Sequence, residues 1–141
     1  MKIEGSVAVV TGANRGLGKA YVEALRAAGA AKIYAGARQP FDVNDSRVIP
    51  IRLDVTSQAD VKSAAQRCQD VNILINNAGV MLKSPMLAQD SDVSMRREME
   101  VNVFGMLAMI RAFAPVLARN GGGAIANTRE WRVVVDAILD R

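Results

Sequence analysis

The sequence predicts an α/β protein with a doubly wound parallel sheet of about five strands. Three observations carry this. Short β-branched apolar runs alternate along the chain with longer segments whose apolar residues recur at three- and four-residue steps, the signature of a βαβ series. The first of those runs passes directly into a glycine-rich turn and then into a helix-forming segment. Half of the 141 residues are hydrophobic, enough to build one core.

The elements follow in order. Val7 to Val10 reads as a buried strand. Lys19 to Ala28 is rich in Ala, Leu and Glu and reads as a helix, with Gly29 at its C-terminal end. Lys32 to Ala35 and Val48 to Leu53 are the second and third strands. Ser57-Gln-Ala-Asp60 has the form of a capping box and opens a second helix, with Val61, Ala64, Ala65 and Cys68 on its apolar face. Val71 to Ile75 is the fourth strand. A connection around 83–92 is expected to be mobile. Met95, Met99, Val103, Met106, Ile110, Phe113 and Leu117 then mark a long helix whose apolar stripe belongs to a core or an interface. Gly121 to Gly123 end it, and Ala124 to Asn127 is the fifth strand. Right-handed crossovers give the order 3-2-1-4-5.

Composition narrows the chemistry. Cys68 is the only cysteine and there is no histidine, which excludes disulfides, cysteine metal clusters and histidine acid–base catalysis within this chain. Cys68 reads as a small core residue. A net charge of +4 with scattered basic residues gives no indication of nucleic-acid binding. No apolar run reads as long enough to span a bilayer, since Arg111 closes the stretch from Val103 to Ile110. With no charged-then-apolar leader either, the expectation is a soluble, cytoplasmic protein with neither membrane nor metal.

The glycine turn is the first candidate site. Gly12, Gly16 and Gly18 stand at spacing G-x-x-x-G-x-G, where the chain must turn sharply, expose backbone N–H groups and pack a helix on a strand. The N-terminus of the following helix suits a pyrophosphate. Where a ribose-reading carboxylate would stand, the chain has Arg38. An arginine there pairs with a 2′-phosphate, so the pattern leans to NADP(H) over NAD(H), and Arg15 adds a second cation. Asp54 and Val55 sit at the end of the third strand, where Asp54 can accept a hydrogen bond from an adenine amino group or cap the next turn. In Asn76-Asn-Ala-Gly79 the asparagines can tie strand ends together, and Ala78 and Gly79 leave room for a ligand.

These motifs resemble the short-chain dehydrogenase/reductase family over about residues 3 to 127. The resemblance rests on Thr11-Gly-Ala-Asn-Arg-Gly-Leu-Gly18, Leu53-Asp-Val55, Asn76-Asn-Ala-Gly79 and Val101-Asn-Val-Phe-Gly105, in that order. It implies a Rossmann-type fold and NADP(H)-dependent hydride transfer between carbonyl and alcohol. It implies a cofactor site built from Gly12, Asn14, Arg15, Gly16, Leu17, Gly18, Arg38, Asp54, Val55, Asn76, Ala78 and Gly79. Asn102 matches the asparagine whose backbone carbonyl holds a water in the family's proton relay.

The pattern then departs. The family follows its fifth strand with a serine and a Tyr-x-x-x-Lys helix. Here no serine lies beyond Ser94, no tyrosine beyond Tyr34 and no lysine beyond Lys83. The division expected is a dinucleotide-binding domain, 1–127, lacking the family's C-terminal strands, and an atypical tail, 128–141. The functional expectation is a truncated or frame-shifted, catalytically impaired member, the alternative being a non-catalytic dinucleotide-binding module acting with a partner. A homo-oligomer would be weakened by the missing helices.

Overall fold

The computed structural model describes residues 2–39, 41–82, 85, 87–89 and 91–128. The expectation for the tail therefore lies outside the described residues except at Thr128. That of a mobile connection around 83–92 falls partly outside them.

Five parallel strands form one sheet in the order β3-β2-β1-β4-β5. They are β1 Val7–Thr11, β2 Lys32–Ala37, β3 Val48–Arg52, β4 Ile73–Asn76 and β5 Ala124–Asn127. Side chains alternate across such a sheet, so β1 to β4 feed two cores, while β5 is exposed. Ala8, Val10, Ile33, Ala35, Ile73 and Ile75 pack under α1 (Gly16–Ala27) with Val22 and Leu25. Val9, Tyr34, Ile51 and Leu74 face the other way, onto α2 (Gln58–Arg67) and α4 (Met106–Arg119). Cys68 is fully buried in this second core, and burial pushes its thiol up to about 12. At neutral pH it is a packing residue and not a nucleophile.

The first helix starts at Gly16, three residues before the compositional signal, because the glycine loop is itself wound into the first turn. It ends in paired C-terminal bonds: the Ala30 N–H donates to the Leu25 carbonyl (3.0 Å) and that of Gly29, at φ +82°, to Arg26 (3.2 Å). The long third helical stretch is interrupted. A helix α3, Ser91–Met99, passes through a π-helical turn, Glu100–Gly105, into α4. Of the apolar stripe, Phe113 and Leu117 enter the core, whereas Met95 and Met99 are exposed.

One sequence expectation is corrected here. The continuous helix Ser91–Arg119 is long and apolar enough to cross a membrane by length and composition, with a mean hydropathy of 1.7 over its best 18 residues. The reading that stopped at Arg111 missed this, since one charge does not lower a whole window enough. In the fold, Met109, Phe113, Val116 and Leu117 of this helix are spent on the sheet.

Candidate functional site

In an open parallel sheet, a crevice forms beyond the carboxyl ends of the strands where the winding reverses, here between β1 and β4. A cleft of about 800 Å³ lies there. Its walls are the loops after four strands: Gly12 to Gly16 after β1, Arg38 after β2, Leu53 to Val55 after β3, and Asn77 to Val80 after β4.

The β1 loop is shaped by backbone constraints. Gly16 adopts φ +54°, and a Cβ there would meet no protein atom within 4 Å, so the space in front of it is open. Gly18 is different: a Cβ would fall on the Gly12 carbonyl and the Asn77 amide. Its task is close helix–strand packing. Arg15 occupies the N-cap of α1 in extended backbone, its side chain makes no capping bond, and the first turn contains no acidic residue. The leading N–H groups of α1 are thus left without a side-chain acceptor.

Thr11 and Asn77 brace the loop from behind. The Thr11 hydroxyl accepts from the backbone N–H of Asn77 (2.9 Å) and Ala78 (2.8 Å). Asn77 Nδ2 donates to the carbonyls of Thr11 (3.0 Å) and Gly12 (3.2 Å). Asn76, one residue earlier, points to the neighbouring strand, where its Nδ2 donates to Asn127 Oδ1 (2.9 Å). The expected tying of strand ends is present, by side chain to backbone at Asn77 and by side chain to side chain at Asn76.

The charges are uneven. Among the described residues, Arg15, Arg38, Arg52 and Arg97 line the cleft with a single carboxylate, Asp54. Burial pushes the Asp54 carboxyl up, but the Thr56 hydrogen bonds and the guanidiniums of Arg38 and Arg97 outweigh it and hold it below the usual carboxylate range. Its Oδ1 accepts from the Thr56 N–H (2.9 Å) and hydroxyl (2.7 Å). The result is an anion fixed among cations at the end of β3.

Of the residues singled out in the sequence, Gly12, Asn14, Arg15, Gly16, Arg38, Asp54, Val55, Ala78 and Gly79 come together as walls of this cleft. Leu17, Gly18, Asn76 and Asn102 do not. Leu17 is exposed, Gly18 lies beneath the loop, and Asn76 is buried toward β5. Asn102 sits in the π turn with its side chain fully engaged: Oδ1 accepts from the Val80 N–H (2.9 Å) and Nδ2 donates to the Val80 carbonyl (2.8 Å). Any chemistry at this position falls to its backbone. Sequence reasoning missed Arg52, Arg97 and Val101 as walls of the cleft. For Arg97, on α3, there was no signal.

Comparisons with known proteins agree with this geometry. The family model for short chain dehydrogenase matches residues 6–129. A crystal structure of a short chain dehydrogenase from Burkholderia cenocepacia J2315 in complex with NADP superposes with a TM-score of 0.85 at 50% identity, over 90% of this chain and 54% of that one. Galactitol 2-dehydrogenase (L-tagatose-forming) of Cereibacter sphaeroides is 30% identical over 135 residues, 89% of this chain and 53% of that enzyme. The 7alpha-hydroxysteroid dehydrogenase of Escherichia coli is also 30% identical, over 137 residues, with the same coverage. The chain spans about half the length of most curated relatives it matches, and 29% of one, tazN of Aspergillus terreus.

Proposed function

Because this chain belongs to the short-chain dehydrogenase family, we propose that its cleft binds NADP(H) in preference to NAD(H), as the cofactor-holding part of a carbonyl–alcohol oxidoreductase. The observation that carries the reading is the uncapped N-terminus of α1, open to the cleft beneath Arg15 and Arg38. Free N–H groups and a positive dipole end attract a pyrophosphate. The cleft fits the group: a Cβ at Gly16 would meet no described atom within 4 Å, and among the described residues the lining cations outnumber the one anion.

On this reading the loop from Gly12 to Gly16 holds the pyrophosphate. Arg15 and Arg38 take the 2′-phosphate, whose planar forks suit bidentate contact. Asp54, kept ionised, accepts from the adenine amino group. Val55, Ala78 and Gly79 line the apolar faces. When bound, the nicotinamide supplies or takes up the hydride. Reduction builds charge on the carbonyl oxygen, which requires a proton donor at that moment. The chain offers no histidine and no tyrosine after Tyr34, and Cys68 is buried with its proton held. The 141-residue chain is accordingly a binder of NADP(H) that does not turn it over alone.

The test is a thermal-shift titration. NADPH should raise the Tm more than NADH at equal concentration, because a ligand that binds only the native state stabilises it by mass action. Arg38→Asp should reverse that ranking. No shift at millimolar NADPH overturns the binding reading, and an unchanged ranking in the variant removes Arg38 from it. Turnover of NADPH with aldehydes or ketones by the pure chain would overturn the inactivity.

A further inference from the structure

Of the arginines that line the cleft, Arg97 has no task in the site as described. Arg15 and Arg38 take the 2′-phosphate on the reading above. Arg52 is paired, its Nε lying 3.5 Å from Asp60 Oδ2. Arg97 forms no ion pair among the described residues, and it is the one described wall of the cleft that comes from α3.

The helix places it with some care. Met95, Met99, Asn102 and Met106 line a methionine groove of about 520 Å³ on one side, whereas Arg97 and Val101 face the cleft on the other. The cleft side runs along the end of β3. A Cβ on Gly105 would lie 2.6 Å from Val55 Cγ2, so the π turn passes this close to Val55 only because a glycine stands there. Val101, four residues earlier, is a buried wall of the cleft, and Arg97 is four residues earlier again. Residues so spaced share a helix face. The turn that carries Arg97 is also held, since the carboxylate of its neighbour Glu98 accepts from the Leu82 N–H. From there the Arg97 guanidinium acts on the Asp54 carboxyl and favours its ionised form.

Asp54 is the group assigned above to the adenine amino donor. An adenine edge presents that donor beside a ring-nitrogen acceptor. A carboxylate can answer only the donor. The acceptor needs an N–H, and a guanidinium carries five of them and no acceptor.

On the cofactor reading above, on which this rests, we propose that Arg97 is a further binding residue for the adenine base, donating to the ring nitrogen beside the amino group that Asp54 accepts. Asp54 and Arg97 together read the edge of the base, while Arg38 reads the 2′-phosphate.

Calorimetric titration of the full chain with NADPH and with NADH tests this. Arg97 is exposed on a helix, where alanine is the most favourable residue, so Arg97→Ala spares the fold. It should weaken both cofactors by the same factor, about tenfold, and leave their ranking unchanged. Arg97→Gln keeps an N–H donor without the charge and should recover most of that loss for both. Affinities of Arg97→Ala equal to those of the parent chain overturn the proposal and leave the cofactor site standing. A loss confined to NADPH overturns it in favour of a contact with the 2′-phosphate. An Arg97→Gln variant as weak as Arg97→Ala overturns it in favour of the pyrophosphate, which needs the charge. A parent chain that binds neither cofactor removes the cofactor reading itself, and the role of Arg97 with it.

Discussion

Two strand-to-helix junctions at the same edge of the sheet are built on opposite rules. At the β3–α2 junction the chain satisfies itself. Ser57 caps α2 by accepting from the Asp60 N–H (3.2 Å), and Asp60 places a carboxylate in the first turn. The capping box is not closed in the usual way, since Asp60 Oδ2 accepts from the Asp54 N–H (3.0 Å) and not from the cap residue. That bond fastens the end of β3 to the helix. At the β1–α1 junction nothing of the sort exists: an arginine stands at the N-cap, with no capping side chain and no acid. Leaving helix N–H groups uncapped costs stability. On the proposed reading, a chain that caps α2 and leaves α1 open keeps that helix end for the pyrophosphate.

Breaking the tight junction beneath the glycine loop has the largest expected effect. Gly18→Ala drives a methyl into the Gly12 carbonyl, a backbone atom that cannot swing aside. The loss should be about 3 kcal/mol, at the upper end for overpacking, and urea denaturation measures it; a change below about 0.5 kcal/mol contradicts the packing role. Next comes a pair of cap exchanges of opposite sign. Ser57→Ala should lower stability by about 1 kcal/mol and leave the NADPH-induced shift in Tm intact. Arg15→Ser gives α1 the cap it lacks and should raise the stability of the ligand-free protein by about 1 kcal/mol while shrinking that shift. If both variants fall in stability, the N-terminus of α1 was never open.

The smallest effect concerns pH. The Asp54 carboxyl is held below its unfolded value of about 3.9. Its ionised form therefore contributes stability above that value, and the contribution is lost as pH falls through the folded pKa. Asp54→Asn should lower Tm slightly at pH 7 and converge with the parent chain as pH falls through the lowered pKa of the folded state. Parallel Tm profiles across that range would show that Thr56, Arg38 and Arg97 do not favour the anion.

Much of this was legible in the sequence for physical reasons. Strand order followed from β-branched runs, glycine turns and the handedness of crossovers, all local or general. The cleft followed from the glycine loop and from Arg38 and Asp54, because strand ends converge by topology alone. What escaped depends on single-residue register or on distant partners. Asn76 and Asn77 are neighbours of identical chemistry, yet one turns to β5 and the other braces the Gly12 loop, since direction reverses at each step out of a strand. Arg97 reaches the cleft only because α3 runs past Asp54. The π turn has no compositional mark, and Met95 and Met99 look like core residues until the helix is seen to widen before α4. Helices were expected on both faces and the fifth strand as an exposed edge, and β5 is exposed along its length.

The amide of Asn102 has a consequence beyond its two bonds. A π turn is an extra residue threaded into a helix, and such an insertion is commonly found at functional sites. Here it is bolted in place. Val80, gripped at both its N–H and its carbonyl, is a wall of the nucleotide cleft, while Asn102 is a wall of the methionine groove. One side chain is thus a shared hinge pin between two rooms. Glu98 makes a second tie from the same helix, accepting from the Leu82 N–H (2.6 Å), so the loop after β4 is fastened to the helix on both sides of Met99.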